Sequence, residues 1–591
     1  MSFSPPARWP TGYEIWDLLQ RGLPIDLPEV VPEETPDVQQ KRHVDSAWIV
    51  ALLGSTKDSV GVPIVIRNAI MVGALRLHYV TFQHDFRIEN CVLKDTIDLS
   101  FSVFKKAAVF DGSRFENRVL LNGIRTQADL KWKTTDFGSE LECQDATIGR
   151  NLSAEGAVFR SFDFEGSSIG GVALFKDEKS RRAEFRGDAT FDLVQINGGL
   201  QIQSAEFQSE VTFTAATIKN FADFRNAIFR GKAQFDGASF LGDAKFDAVQ
   251  FVPKKPDTDN DDKDVDTELI RFPGVRIAGQ AVFDNCLFAG SARFDQTHFE
   301  SEAFFESAKF SEDVRFDGAS FAGPASFEGA SFVPNGASNR IDFRGAKGGS
   351  IDFTGAHFSG GTVTFQDAAF RVVYFHHESE AIASDRQLPL RGKGGLDLRG
   401  FTYERIFMSW REALEILEPY DVQPYRQLER ALRTMGKDHE ADDVYLQQRW
   451  RAFRNSIQRK QWLVATGLLI YGCVLRFGVK PWRLAGISIL LLLCSVAIFH
   501  QPNATEPIKD SACIAHQLDP WEAFGVSLNY FLPIQVPVSA CYAASTRTAF
   551  EACRHLISFA LWATILKILG WIFVPLGVAA LGGLLRQPSS K

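Results

Sequence analysis

The sequence lacks the ordered motifs from which common cofactor sites are built. There is no strand–GxGxxG–helix for a dinucleotide, no CxxC pair and no CxxCH haem attachment. That removes the usual signatures of nicotinamide, thiol-redox and c-type haem chemistry. Cysteine is sparse at 8 residues, and Cys91, Cys143 and Cys286 stand far apart with no metal-ligand spacing. They read as small buried apolar groups. An excess of positive charge is also missing: 64 Lys and Arg against 72 Asp and Glu leave a net charge of −8. This excludes the basic footprint of a nucleic-acid binder. No Ser-His-Asp set or paired-carboxylate arrangement can be assembled, so no catalytic residue and no cofactor is expected. The amino-terminal stretch MSFSPPARWPTGYEIW has no apolar signal-peptide core, which predicts that the repeat region after it stays in the cytoplasm.

Phenylalanine is what the chain has in abundance: 51 residues, against 10 Tyr and 4 Met. From Phe185 a large apolar residue returns at 191, 196, 202, 207, 213, 218, 224, 229, 235, 240, 246 and 251. The steps alternate between six and five. A small residue often stands two places earlier, as at Ala205, Ala216, Ala227 and Ala238. The beat returns from Phe283 to Phe332, and a more aliphatic version runs from Leu77 to Leu121. Neither a helical nor a strand period gives this spacing. Self-similarity over hundreds of residues signals a solenoid.

A β-coil that turns a corner every five or six residues points one large side chain inward per side. The residue two before it also faces inward, close to a corner where only a small group fits. Asp236-Gly237-Ala238 and Asp317-Gly318-Ala319 supply turns. Stacked coils would then place Phe on Phe along the axis. This pattern resembles the pentapeptide-repeat family, whose motif has a small residue two before a central Leu or Phe. The resemblance implies a mainly β fold, a right-handed quadrilateral β-helix. It departs from the family's uniform step of five by alternating five and six. The departure predicts roughly 22 residues per coil with two bulged corners.

The expected organisation is a lead-in and cap over 1–60, the β-helix over 61–402 and a cytoplasmic helical hairpin over 403–460, with a transmembrane region over 461–591. An acidic insertion, 252–282, interrupts the beat with DTDNDDKDVDTE. Asp257, Asp259, Asp261 and Glu268 fall at positions 1, 3, 5 and 12 of a calcium-loop spacing, but Asp262 stands where the loop needs glycine. The segment is read as a solvated loop with no metal. His376-His377 reads as a loop pair. Ile406, Trp410, Leu414 and Leu417 share one predicted helical face. Pro424 opens a second helix and Gly436 closes it.

Beyond Gln461 the chain reads as a membrane protein. The expected elements are an interfacial helix over 461–475, a span over 482–500 and a span over 556–585. Between the spans lies an outer loop, 501–555, holding the Pro-broken apolar segment WEAFGVSLNYFLPIQVPV. Basic residues crowd before the first span, which orients both termini to the cytoplasm. The order solenoid, hairpin, YGCVLRFGVKPWRL and span resembles a group of large bacterial membrane-attached pentapeptide-repeat proteins. The expected localisation is therefore the bacterial inner membrane. Cys513 and Cys541 are a disulfide candidate on the outer side. Lys567 stands within the last span, either snorkelling to its outer end or serving a pore, and Pro533, Gln535 and Pro537 mark the broken segment. Ala579 and Gly583 offer a small-residue face for self-association. The expected function is a non-enzymatic, membrane-anchored scaffold or sensor with the bilayer, an unidentified protein partner and its own copies as partners, and no nucleic acid. The alternative is an oligomeric ion-conducting or membrane-permeabilising effector gated by the solenoid.

Overall fold

The computed structural model describes residues 9–29, 36–53, 58–253, 270–333, 340–359, 361–375, 395–480, 482–508, 516–532, 542–547 and 558–581. The chain divides into two compact units, Met1–Pro424 and Tyr425–Lys591.

The first unit is a parallel β-solenoid of about 13 turns. Among the described residues, its short strands form one sheet of 28 strands and a second of 26. The register is rigid: Phe207 lies opposite Phe229, and Phe229 opposite Phe251, 22 residues on at each step. The six-residue step has a local cause. A residue with left-handed φ stands at the sheet-to-sheet corner about every eleven positions, as at Asn226 (58°), Gly237 (64°) and Ala248 (55°). The next N–H closes the turn onto the carbonyl three residues back, as Ala238 does to Phe235 at 3.0 Å. That geometry belongs to a turn with positive φ at its third residue. The extra residue of each eleven is absorbed there, which is the bulged corner the spacing predicts. Gly237 and Gly318 occupy such corners.

All beat residues named above are buried, and the small residues two before them are buried as well. Ring stacks run along the axis. One continues from Phe185 through Phe207, Phe229 and Phe251 to Phe288, with centroids 4.5–5.1 Å apart and planes within 12° of parallel. A second runs through Phe213, Phe235, Phe272 and Phe294. A third runs through Phe224, Phe246, Phe283 and Phe305. The fourth column interrupts the stacking locally, where Phe240 lies between Ile218 and Ile277, and resumes it with Phe299 on Phe321 at 4.9 Å. Each buried Phe contributes roughly 1.5–3 kcal/mol relative to exposure, so repetition rather than any single contact stabilises the coil.

Both ends are covered. Helix α1 (Gly12–Gln20) opens on a capping box: Glu14 N–H donates to Thr11 Oγ1, and Thr11 N–H to Glu14 Oε2. Helices α2 (Pro36–Lys41) and α3 (Ser46–Ala51) follow. Ile25–Asp26 adds to Ile66–Arg67, and His43–Asp45 to Ile70–Val72. Arg42, 1% exposed, donates to the carbonyls of Glu29 and Asn68. At the other end, α4 (Trp410–Glu415) buries Trp410 and Leu414, and Leu417 is buried just beyond it. Ile406 departs from the predicted helical face. It sits in the strand Arg405–Phe407 opposite Val373, because the last coil still offers an unpaired edge to satisfy.

The second unit is helical: α5 (Gln423–Thr434), α6 (Asp438–Gln458), α7 (Trp462–Leu475), α8 (Trp482–Phe499), α9 (Pro520–Phe531) and α10 (Phe559–Leu581). Gly436, at φ 74°, follows α5 in the left-handed conformation common after a helix end. Among these, α9 is wedged against both α8 and α10. Phe499, Val526, Phe531, Ala563 and Leu566 form the core between them.

Candidate interaction surface

The solenoid's polar groups mostly satisfy one another. Turn carboxylates and amides cap the neighbouring coil: Asp129 Oδ1 accepts from Asn151 N–H, and Asn151 Oδ1 from Val172 N–H. Asp192 and Asp284 repeat the arrangement toward Thr214 and Glu306. Inward hydroxyls do the same, with Ser102 Oγ donating to Leu77 O and accepting from Val80 N–H. Outward arginines pair with an aspartate two residues earlier, as in Arg225–Asp223 and Arg399–Asp397, both at 2.7 Å. Burial pushes the Asp223 carboxyl up, but hydrogen bonds from Arg225 and Gln203 outweigh it and hold the group below the usual range. Such faces carry structure rather than reactivity.

The thiols obey the same logic. Cys91, Cys143 and Cys286 are buried, and burial pushes Cys91 up to about 12 and the other two upward as well. Cys286 Sγ donates to Phe246 O at 2.8 Å, the role serine plays at Ser102. A protonated buried thiol is no nucleophile. Among the described residues, no group of three His, Cys, Asp or Glu could hold a metal ion.

One exposed feature breaks the pattern. Tyr79 and Phe101 occupy left-handed corners in successive coils, at φ 60° and 59°. They stack face to face at 5.0 Å and 8° while remaining 67% and 49% exposed. His78 lies edge-on to Tyr79, its Nδ1 3.8 Å from Asp98 Oδ2. The next coil places Gly123 under the Phe101 ring, where a Cβ would come within 2.5 Å of it. Later coils fill this position with Asp145, Gly166, Leu193, Ala215, Gly237, Gly274, Gln296 and Gly318, so among the described residues no later coil repeats the aromatic, although Leu193 is also large and exposed. A bulky residue in this conformation costs roughly 1–2 kcal/mol, and here little burial offsets it. The apolar beat passes over both residues, since neither is on it. A signal was nonetheless present: aromatics in two successive coils at a corner that later coils fill with Gly, Asp, Leu, Ala or Gln.

In the helical unit, α8 and the stretch Phe559–Ala579 of α10 are long and apolar enough to cross a membrane. Their outer faces expose Ile489, Leu490, Leu493, Ile568 and Trp571. Across the inner faces Trp562 Nε1 donates to Ser495 Oγ at 3.0 Å. Lys567 is exposed on α10, one turn after buried Ala563 and so at the edge of the face that buries Ala563 and Leu566. It stands eight residues after Phe559, or about 12 Å along the helix. Asp257, Asp259, Asp261 and Glu268, with Cys513 and Cys541, lie outside the described residues, as do Pro533, Gln535, Pro537, His376, His377 and Gly583.

Residues 283–331 match the family model for pentapeptide repeats, with nine copies. No curated protein and no solved structure matches the chain. The 22-residue coil of the matched copies, His298 opposite Ser320, recurs before them, Gln195 opposite Thr217, and after them, Ile341 opposite Val363. The chain carries a pentapeptide-repeat β-solenoid, followed by a helical region whose apolar helices fit membrane attachment.

Proposed function

We propose that this protein is a non-enzymatic scaffold: a cytoplasmic pentapeptide-repeat solenoid, anchored in the bacterial inner membrane by its helical unit, that docks a protein partner. The observation that carries the reading is the Tyr79–Phe101 stack. It is an exposed aromatic pair held at strained corners on a polar, net acidic solenoid. Exposed aromatics of this kind are enriched as anchors at protein interfaces. The exposed aliphatic faces of α8 and α10 support the anchor, and the basic residues before α8 support the cytoplasmic orientation. Self-association belongs to the helical unit, since both solenoid edges are covered. The test is differential capture from membranes solubilised in mild detergent. The wild type should retain a partner that the Tyr79→Gly/Phe101→Gly double variant loses, while melting temperature holds or rises as left-handed strain is relieved. Equal capture by both would remove the docking role from this stack.

The ion-conducting reading has one specific support. At 12 residues α9 extends about 18 Å, short of a span, and ends against the middle of α10. A Cβ on Gly570 would meet Phe531 O at 1.7 Å, so the glycine permits that approach. Conductance of the reconstituted protein in liposomes separates this reading from a plain anchor.

A further inference from the structure

The longest charge imbalance in the chain lies where α6, α7 and α8 join. From Val444 to Thr505 there are eight basic residues (Arg449, Arg451, Arg454, Arg459, Lys460, Arg476, Lys480 and Arg483) and no Asp or Glu. Many arginines elsewhere are paired with carboxylates, as in Arg433 with Glu429 and Asp442. Apart from Arg451, which donates to Tyr425 Oη, these cations form no ion pair among the described residues. Arg449 lies 5.1 Å over the Tyr445 ring, and its Nε is buried without a hydrogen-bond partner. A desolvated guanidinium N–H left unbonded is costly, and an anionic oxygen is the partner that matches it best.

The backbone here is held in an unusual shape. Arg476, Phe477 and Gly478 are consecutively left-handed, at φ 46°, 55° and 86°. Phe477 is fully buried and secures the turn, edge-on to Trp450 at 5.2 Å and to Tyr471 at 5.6 Å. Gly472 gives it room, since a Cβ there would come within 2.6 Å of the Phe477 ring. The turn is thus set by packing, and it places Arg476 and Lys480 just ahead of α8. Arg483 stands in the first turn of α8, at the positive end of that helix. A cation is unfavourable at that end, whereas a bound anion relieves both the dipole and the side chain. The flanking surface is apolar, with Trp462, Leu463 and Trp482 all exposed.

We propose that the α6–α7–α8 junction binds the phosphate of an anionic phospholipid, with Arg449, Arg476, Lys480 and Arg483 as its cationic side. Unpaired cations meeting exposed Trp and Leu is the combination a lipid headgroup above its acyl chains requires. The inference rests on the membrane reading above and names the lipid class for it.

The test uses full-length protein in neutral detergent. Phosphatidylglycerol, phosphatidylcholine and inorganic phosphate are titrated separately, reading bound lipid by native mass spectrometry and phosphate by thermal shift. Phosphatidylglycerol is expected to bind at low mole fraction, phosphatidylcholine only at high excess, and phosphate not at all. Each cation removed should weaken phosphatidylglycerol binding on the order of fivefold. The substitutions are Arg449→Gln, Arg476→Asn (a residue that tolerates left-handed φ) and the exposed pair Lys480→Gln/Arg483→Gln. The last does not depend on the packed turn and decides the matter should Arg449→Gln unfold. Equal binding of the two lipids, unchanged binding in the double variant, or a phosphate shift without lipid binding would each overturn the site. Failure of the membrane reading looks different: the protein would then float with no vesicle of any composition.

Discussion

Phe229→Ala tests the ring stack where it is most regular. Phe229 is fully buried, with Phe207 stacked 4.9 Å away on one side and Phe251 5.0 Å away on the other. Phe235 meets it edge-on at 6.3 Å. Truncation removes the transfer free energy of the ring and leaves a cavity that the strand ladders above and below prevent from closing. Such changes cost about 3–5 kcal/mol, of which the two stacking contacts account for roughly 0.5–1.5 kcal/mol each. With an unfolding entropy of about 2.1 cal/mol/K per residue over roughly 400 cooperative residues, the melting temperature should fall by roughly 4–6 °C. Lys245→Ala, on the outward side of a strand in the other sheet, should cost under about 0.5 kcal/mol, or less than roughly 1 °C. The assay is thermal unfolding of the full-length protein in detergent, monitored by circular dichroism at the strand band. Phe240→Ala is a useful companion, since its column neighbours are isoleucines and its loss removes edge and tilted ring contacts but no face-to-face stack. Equal shifts for Phe229→Ala and Lys245→Ala would refute the inward assignment and the energetic role of the stack.

The same physics sets three other outcomes. Asp284→Asn should raise the melting temperature slightly near neutral pH. Burial pushes the Asp284 carboxyl above its ordinary range, and asparagine keeps the acceptor for Glu306 N–H. A raised carboxyl pKa means the wild type gains stability as pH falls from neutral through that value toward the unfolded pKa, so the difference between the two proteins should shrink on acidification. Deleting 254–268 should leave melting unchanged, and calcium should not raise it in the intact chain; a large loss or a calcium-dependent gain would give the acidic stretch a structural role. Maleimide labelling of intact cells should increase on reduction if Cys513 and Cys541 pair in the outer loop, and equal labelling with and without reductant would reject the bond.

The solenoid was legible because each coil repeats one constraint: a large inward residue, a small one before it and a corner that admits positive φ. Twenty-two-residue coils emerge from arithmetic on Phe207, Phe229 and Phe251 before any coordinates. Column identity was less legible. Whether Phe240 meets Phe or Ile depends on counting in steps of 22 rather than five and six, and its neighbours Ile218 and Ile277 break the ring stack. Ile406 was misplaced because helical spacing to Trp410 coincided with the last strand of the coil. The exposed stack of Tyr79 and Phe101 was invisible to a search for apolar periodicity, since the corner carries no beat. Arg449 is readable only as one of the basic residues before the first span, and Phe477 only as part of YGCVLRFGVKPWRL: burial of a cation's Nε, and an aromatic holding three left-handed residues, arise only when α6 and α7 pack.

Orientation is the central claim: a solenoid inside the membrane barrier and the α8–α9 connection outside it. Single cysteines introduced at solenoid-surface Lys219 and at Pro502 can be probed in spheroplasts with a membrane-impermeant maleimide. Pro502→Cys should label in intact spheroplasts, and Lys219→Cys only after the membrane is permeabilised. Labelling of Lys219→Cys before permeabilisation, or recovery of the whole protein in the soluble fraction without detergent, would contradict the claim.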